Sequence, residues 1–149
     1  MKKLLAVLLL ALVLVACGGE KSVTLTGSFE TEHAEGEAYQ TATLTLVDGK
    51  ISEVSIDEFY PAKGEFKKAL GADYGMVVAS PIGKEWFEQI AALEQWMVGK
   101  TVEEVLAMPL YAKDDSHTEC ADVEELKSSC TMNVGGYLRA VKGAAEAAK

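Results

Sequence analysis

Asp48-Gly49 falls between two runs in which apolar and polar residues alternate, and this arrangement dictates most of what the first half of the chain can form. Period-two alternation turns one face of an extended strand toward a core and the other toward water. Asp-Gly supplies the two positive φ angles of a type I′ turn, so residues 39–47 and 51–59 are predicted to make a β-hairpin. Ala42, Leu44 and Leu46 share one face of the first run. An earlier run, residues 23–30, sets Val23, Leu25, Gly27 and Phe29 against Thr24, Thr26, Ser28 and Glu30, and a polar turn over 32–38 follows it. The prediction is an antiparallel meander of at least three strands that needs apolar cover on one face.

The second half supplies that cover. Residues 61–64 break the alternation, and 65–70 suit a short helix. Ser80-Pro81 reads as an N-cap followed by proline at the first helical position. Trp86, Ile90, Leu93 and Met97 then recur at helical spacing until Gly99. Thr101-Val102-Glu103-Glu104 has the form of a capping box and opens a short helix through Met108. Residues 109–119 read as a polar loop. Asp122 is expected to cap a helical turn over 123–127 with Glu125 at the reciprocal position. A last helix from about Val134 presents Val134, Leu138, Val141 and Ala145 on one face. Strands first and helices after predict an α+β fold: a single domain in which an antiparallel β-meander packs against C-terminal helices.

The chain begins with an export signal. Lys2 and Lys3 precede an apolar run over residues 4–16, which is followed by Cys17 and Gly18-Gly19. The run is well short of the ~20 residues of a membrane-spanning helix. Leu14-Val15-Ala16-Cys17 resembles a bacterial lipoprotein cleavage box, which implies that residues 1–16 are a signal peptide and that Cys17 becomes the acylated first residue. Residues 17–22 are then a lipidated tether, and 23–149 the domain. Palmitate-type acyl chains contribute roughly 0.8 kcal/mol per buried CH₂ and would anchor the domain at the extracytoplasmic face of the cell membrane. Removal of 16 residues from 149 leaves 133, enough for one domain and too few for two. Lys2 and Lys3 leave with the signal, so the formal net charge falls from −9 to −11. So acidic a domain repels phosphate backbones, and no nucleic acid is expected as a partner.

Two cysteines remain, Cys120 and Cys130, and in an oxidising compartment a disulfide between them is one expectation. A metal site of His117, Cys120 and Cys130 matches no Cys/His ligand spacing, and the other histidine, His33, lies in the polar turn; no metal is expected. No GxGxxG, Walker, GxSxG or HExxH motif is present, nor any nucleophile–base arrangement, which argues against a hydrolase or transferase. Glu103-Glu104 and Glu124-Glu125 stand at helix starts, where capping and the dipole account for them. Trp86 and Trp96, at helical spacing, read as core. Small and hydroxyl-bearing residues at 128–131 lie between two predicted helices. A phosphate beside Thr131 would meet orphan N–H donors there, while Thr131 or Asn133 as a plain N-cap explains the same residues. Ser80 with Lys84 nearby offers the same two readings, an anion site or a bare cap.

The run ASPIGKEWFEQIAALEQWMVGKT (79–101), together with SSCTMNVGGYLRAV (128–141), resembles bacterial lipoproteins related to the FMN-binding domain family. In that family a flavin transferase joins FMN by a phosphoester bond to the threonine of an Asp-x-x-(Ser/Thr)-Gly-Ala-Thr pattern, and the flavin serves extracytoplasmic electron transfer. The resemblance lays Thr131 on the acceptor, Cys130 on the alanine, Ser129 on the glycine, Ser128 on the hydroxyl position and Glu125 on the aspartate. Glu125 keeps the charge on a longer arm, Ser129 adds a Cβ, and Cys130 adds a thiol where the flavin or the transferase would pass. The implied protein is an electron carrier that exchanges electrons with a membrane redox partner. Its isoalloxazine would stack on Tyr74 or Trp86, and the start of the last helix, residues 133–135, would hold the phosphate charge. The alternative is a cofactor-free surface lipoprotein that binds a partner or small ligand.

Overall fold

The computed structural model describes residues 12–15, 21–33 and 36–147; Cys17 with residues 18–20 of the 17–22 tether, and residues 1–11 and 16 of the leader, lie outside them. Three long strands, β2 (Lys21–His33), β3 (Gly36–Val47) and β4 (Lys50–Tyr60), form the antiparallel meander. The β3–β4 hairpin turns at Asp48 (φ 49°) and Gly49 (φ 79°), the two positive angles expected there. β2 and β3 stay paired to His33↔Gly36, so the first hairpin is tighter than the predicted turn over 32–38. A bulge sets Ser52 opposite the Thr45–Leu46 step, and the Ser52 hydroxyl donates to the Thr45 carbonyl at 3.0 Å.

In the uncleaved chain both outer edges of this sheet are covered over part of their length. The backbone of β1 (Leu12–Val15), from the stretch assigned to the leader, pairs antiparallel with β2. On the other side β5 (Glu65–Phe66) pairs with the end of β4. Further along β4, Ile51 exchanges backbone hydrogen bonds with Gly99 and Lys100, each 2.8 Å, and the Glu94 carboxylate accepts from the Ile56 N–H at 2.7 Å. Side chain and loop thus satisfy groups that an open edge would leave to pair with another chain.

The helices are α1 (Lys67–Leu70), α2 (Trp86–Met97), α3 (Val102–Leu106) and α4 (Gly135–Glu146). Trp86, Ile90, Leu93 and Met97 are all buried, as their spacing predicts. Thr101 and Glu104 close the predicted capping box, with N–H donors 3.2 and 2.7 Å from the partner's side-chain oxygen. Leu25, Ala42, Leu44, Ile51 and Ile56 of the sheet meet this layer and α4 in one core. Burying each large aliphatic side chain contributes roughly 1.5–3 kcal/mol. Gly27 lets α4 lie directly on β2: a Cβ there would fall inside the backbone of Ala140 and Ala144.

Three boundaries differ from the expectation. Residues 65–70 divide into β5 and a one-turn helix. α2 begins at Trp86 rather than at Ser80-Pro81, because Gly83 takes a left-handed φ of 62° and Glu85 forms the cap, reciprocally with Glu88. Ser80 instead accepts from the Lys84 N–H and Gln89 Nε2, so it offers no helix start to an anion. Asp122 caps nothing: residues 124–126 form a 3₁₀ turn with Val123 at its N-cap and no side-chain cap. The polar loop also contains a small ladder, β6 (Leu110–Tyr111) with β7 (Cys120–Ala121). No helix among the described residues is long and apolar enough to cross a membrane.

Candidate functional site

Gln40 and Glu58 are register partners on β3 and β4, and both fall on the face that carries Ala42, Leu44 and Ile56. Two polar side chains on the apolar face of a meander need partners from the helical layer. Lys67, the first residue of α1, supplies one for Glu58: its Nζ lies 2.8 Å from Glu58 Oε1, with the side chains only 8% and 11% exposed. Tyr137, in the first turn of α4, donates its hydroxyl to Glu58 Oε2 at 2.6 Å and accepts from Trp86 Nε1 at 2.9 Å. Burial and the neighbouring Glu58 charge hold the Tyr137 phenol well above its ordinary range. The Lys67 ammonium also lies 4.6 Å from the Tyr74 ring centroid and 5.6 Å from that of Trp86, within cation–π range.

This network forms the floor of a cavity of about 520 Å³. Trp86, Tyr74 and Met76 make its apolar walls; His117, Glu119 and Arg139 stand toward its rim. Arg139 grips Glu119 through two N–H···O bonds of 2.8 and 2.7 Å, which hold the Glu119 carboxyl below the usual carboxylate range. Behind His117 the Asp114 carboxylate, which does not line the cavity, accepts from the Ser116 and His117 N–H groups and meets His117 Nδ1 at 2.8 Å. The His117 bond leads in lowering the Asp114 pKa.

A second cavity of about 180 Å³ shares Met76, His117 and Met132 with the first. Thr131 lies in its wall with Ser80, Gln89 and Lys113. The backbone of Thr131 is held from two sides. Its N–H donates to Gln89 Oε1 at 2.9 Å, and its carbonyl accepts from Cys120 Sγ at 3.5 Å. Gln89 is fully buried and tied to Ser80 and Lys84, so α2 fixes the height of this segment.

Of the other residues the resemblance names, Glu125, Ser128, Ser129 and Cys130 line neither cavity, while Asn133 lies in the wall of the larger one. Glu125 and Ser128 are exposed, and Ser129 turns its hydroxyl back to the Glu125 and Leu126 carbonyls. Cys130, expected where a flavin would pass, instead points into the core, where burial pushes its thiol up to about 12. The disulfide considered from the sequence is not formed: Cys120 and Cys130 are both free, buried thiols. The helix start at 133–135 is already committed. Val134 is the N-cap of α4, with no side-chain cap, and the Asn133 amide bonds the Glu119 N–H and Ser116 carbonyl. The Glu119 carboxylate lies where a Cβ on Gly135 would be. A protein carboxylate therefore occupies the place the sequence reading gave to a phosphate, and neither Thr131 nor Asn133 caps the helix. No cluster of three or more His, Cys, Asp or Glu suited to a metal ion occurs among the described residues.

Sequence reading missed Glu58, Lys67, Tyr137 and the Glu119–Arg139 pair. A signal for the first existed: Glu58 follows Ile56 at strand spacing on an apolar face. Lys67 and Tyr137 carry no such mark, since nothing local says which helix faces Glu58.

No family model matches the chain, and no curated protein matches it. A solution NMR structure of a Clostridium thermocellum protein from a structural genomics consortium is similar over 85% of this chain and 90% of that one, with 19% identity and a TM-score of 0.50. At that identity the likeness shows the α+β fold.

Proposed function

We propose that the chain is a lipid-anchored extracytoplasmic carrier of FMN, attached through Thr131 and used for electron transfer with a membrane partner. The observation that carries this reading is the position of Thr131 in the wall of the smaller cavity, next to the larger, aromatic one. Thr131 is half-buried, and its hydroxyl makes no hydrogen bond among the described residues, so the atom that would be esterified is not committed to the core. Lys113 and His117 in the same wall suit the single negative charge of a phosphodiester. The larger cavity lies in the ~300–1,000 Å³ range of small-molecule sites, with the half-buried Tyr74 as ring partner, Trp86 being only 1% exposed. Flavin, when bound, supplies one- and two-electron transfer; the chain supplies a walled seat and the charge beside it. Acylation at Cys17 would keep that seat near the bilayer.

One observation favours the cofactor-free alternative. The Glu119 carboxylate, held by Arg139, lies against the start of α4, so that helix N-terminus is not open to the phosphate. Intact-mass measurement on full-length protein from membranes that contain a flavin transferase separates the two. The carrier shows acylation at Cys17, flavin absorbance and an FMN-sized increment, with the flavin signals lost in Thr131→Val. A colourless wild-type protein without the increment leaves the alternative.

A further inference from the structure

Stability does not account for the Glu58–Lys67 pair. Desolvating two charges offsets most of their attraction, and well-packed apolar residues serve a core as well or better. Nor is the pair saturated. Glu58 takes one of the three protons of Lys67, while Lys67 and Tyr137 each engage one Glu58 oxygen, and each oxygen keeps a lone pair. Both residues line the larger cavity at its aromatic end, beside Trp86 and Tyr74. The site is thus a donor next to an acceptor, neutral as a unit, against flat walls. A simple anion gains little from a lysine already neutralised. An organic cation is repelled by the Lys67 ammonium, which lies 4.6 Å from the Tyr74 ring centroid.

We propose that the larger cavity recognises the imide-type edge of a flat heteroaromatic ring, with Lys67 donating to a ring carbonyl and Glu58 accepting from the adjacent ring N–H. This goes beyond attachment at Thr131, because the edge is read whether the ring is tethered or free. Tyr137 is a positioning residue: it holds Glu58 from the side opposite Lys67 and is itself held by Trp86.

The test titrates full-length Thr131→Val protein, solubilised from membranes in detergent and unable to carry a phosphoester at that position, with riboflavin and lumichrome. Lumichrome keeps the imide edge and lacks the ribityl chain. Saturable quenching of ring fluorescence is expected with both. Methylation of the lumichrome imide nitrogen is expected to weaken binding about tenfold or more, as is Lys67→Met with Glu58→Gln in protein that keeps its native circular dichroism. Tyr74→Ala leaves the ion pair in place and is expected to weaken binding roughly threefold or more; it decides the matter if the double variant does not fold. Absence of saturable quenching, equal binding of the methylated ring, or undiminished binding by Tyr74→Ala overturns the proposal. A wild-type chain without flavin adduct, beside Thr131→Val protein that binds lumichrome, removes the covalent reading and keeps this one. An adducted wild type beside a Thr131→Val protein that binds neither ring does the reverse.

Discussion

The Tyr137 hydroxyl lies 2.6 Å from Glu58 Oε2, joining residues 79 positions apart. Because the Tyr137 hydroxyl also accepts from Trp86 Nε1, one phenol fastens α4, α2 and β4 at the back of the larger cavity. A buried hydroxyl with both a donor and an acceptor is costly to remove, since each partner is left without its bond.

Tyr137→Phe is therefore expected to destabilise the protein by about 1–3 kcal/mol, although it removes a single oxygen. Urea unfolding followed by tryptophan fluorescence measures this. An unchanged midpoint would mean that the network contributes nothing net.

Two glycines at the β2–α4 contact are expected to respond in opposite directions. Gly27→Ala drives a Cβ into the backbone of Ala140 and Ala144, which no rotamer change relieves, and should cost about 1–3 kcal/mol or more. Gly143→Ala places its Cβ 3.4 Å from the Ser28 carbonyl, an ordinary contact, and removes a glycine from a helix interior. It should stabilise by up to about 1 kcal/mol. Thermal unfolding of the two variants side by side checks the contrast.

Glu119 makes stability depend on pH in a defined direction. The Arg139 hydrogen bonds depress its folded pKa, so its contribution is fully present above the unfolded value of about 4.3 and is lost as pH falls through the folded value. Asp114, held down first by the His117 bond, acts in the same sense. Urea midpoints are expected to hold from pH 7 to 5 and to fall below about pH 4.5, with a shallower fall in Glu119→Gln. Both partners are more than a third exposed, so the contribution is small and weakens with salt.

The buried cysteines are expected to be inert in the native protein. Thiolate is the reactive form, and burial raises Cys130 to about 12 and shifts Cys120 in the same direction. Peptide mapping after iodoacetamide treatment at about pH 8 should find neither residue labelled natively. Both should be labelled in denaturant without reductant, as free thiols require. Fast native labelling of Cys130 would mean that the core opens there.

The elements read correctly from the sequence are those whose cause is local. Asp48-Gly49 carries its own turn geometry, and Thr101 and Glu104 satisfy each other three residues apart. The α2 stripe repeats at the spacing of one helix face. The structure departs from the local pattern where a distant group intervenes. The start of α2 lies at Glu85, whose carboxylate also accepts from the Met76 N–H at 2.8 Å, a bond that Ser80-Pro81 gives no hint of. The helix start after Asn133 is closed by Glu119, which the loop before β7 brings against it.

The candidate site divides in the same way. Resemblance selected Thr131, and its position in a cavity wall keeps that choice available, while Glu125, Ser128, Ser129 and Cys130 lie elsewhere. The chain's own pattern determined the meander, its hairpin, the helical cover and the α+β class, because hydrophobic periodicity and turn chemistry act over a few residues. Only the tertiary structure decided that Glu58, Lys67, Tyr137 and Trp86 meet: they come from β4, α1, α4 and α2, and a buried charge finds its partner through packing, which no local spacing encodes.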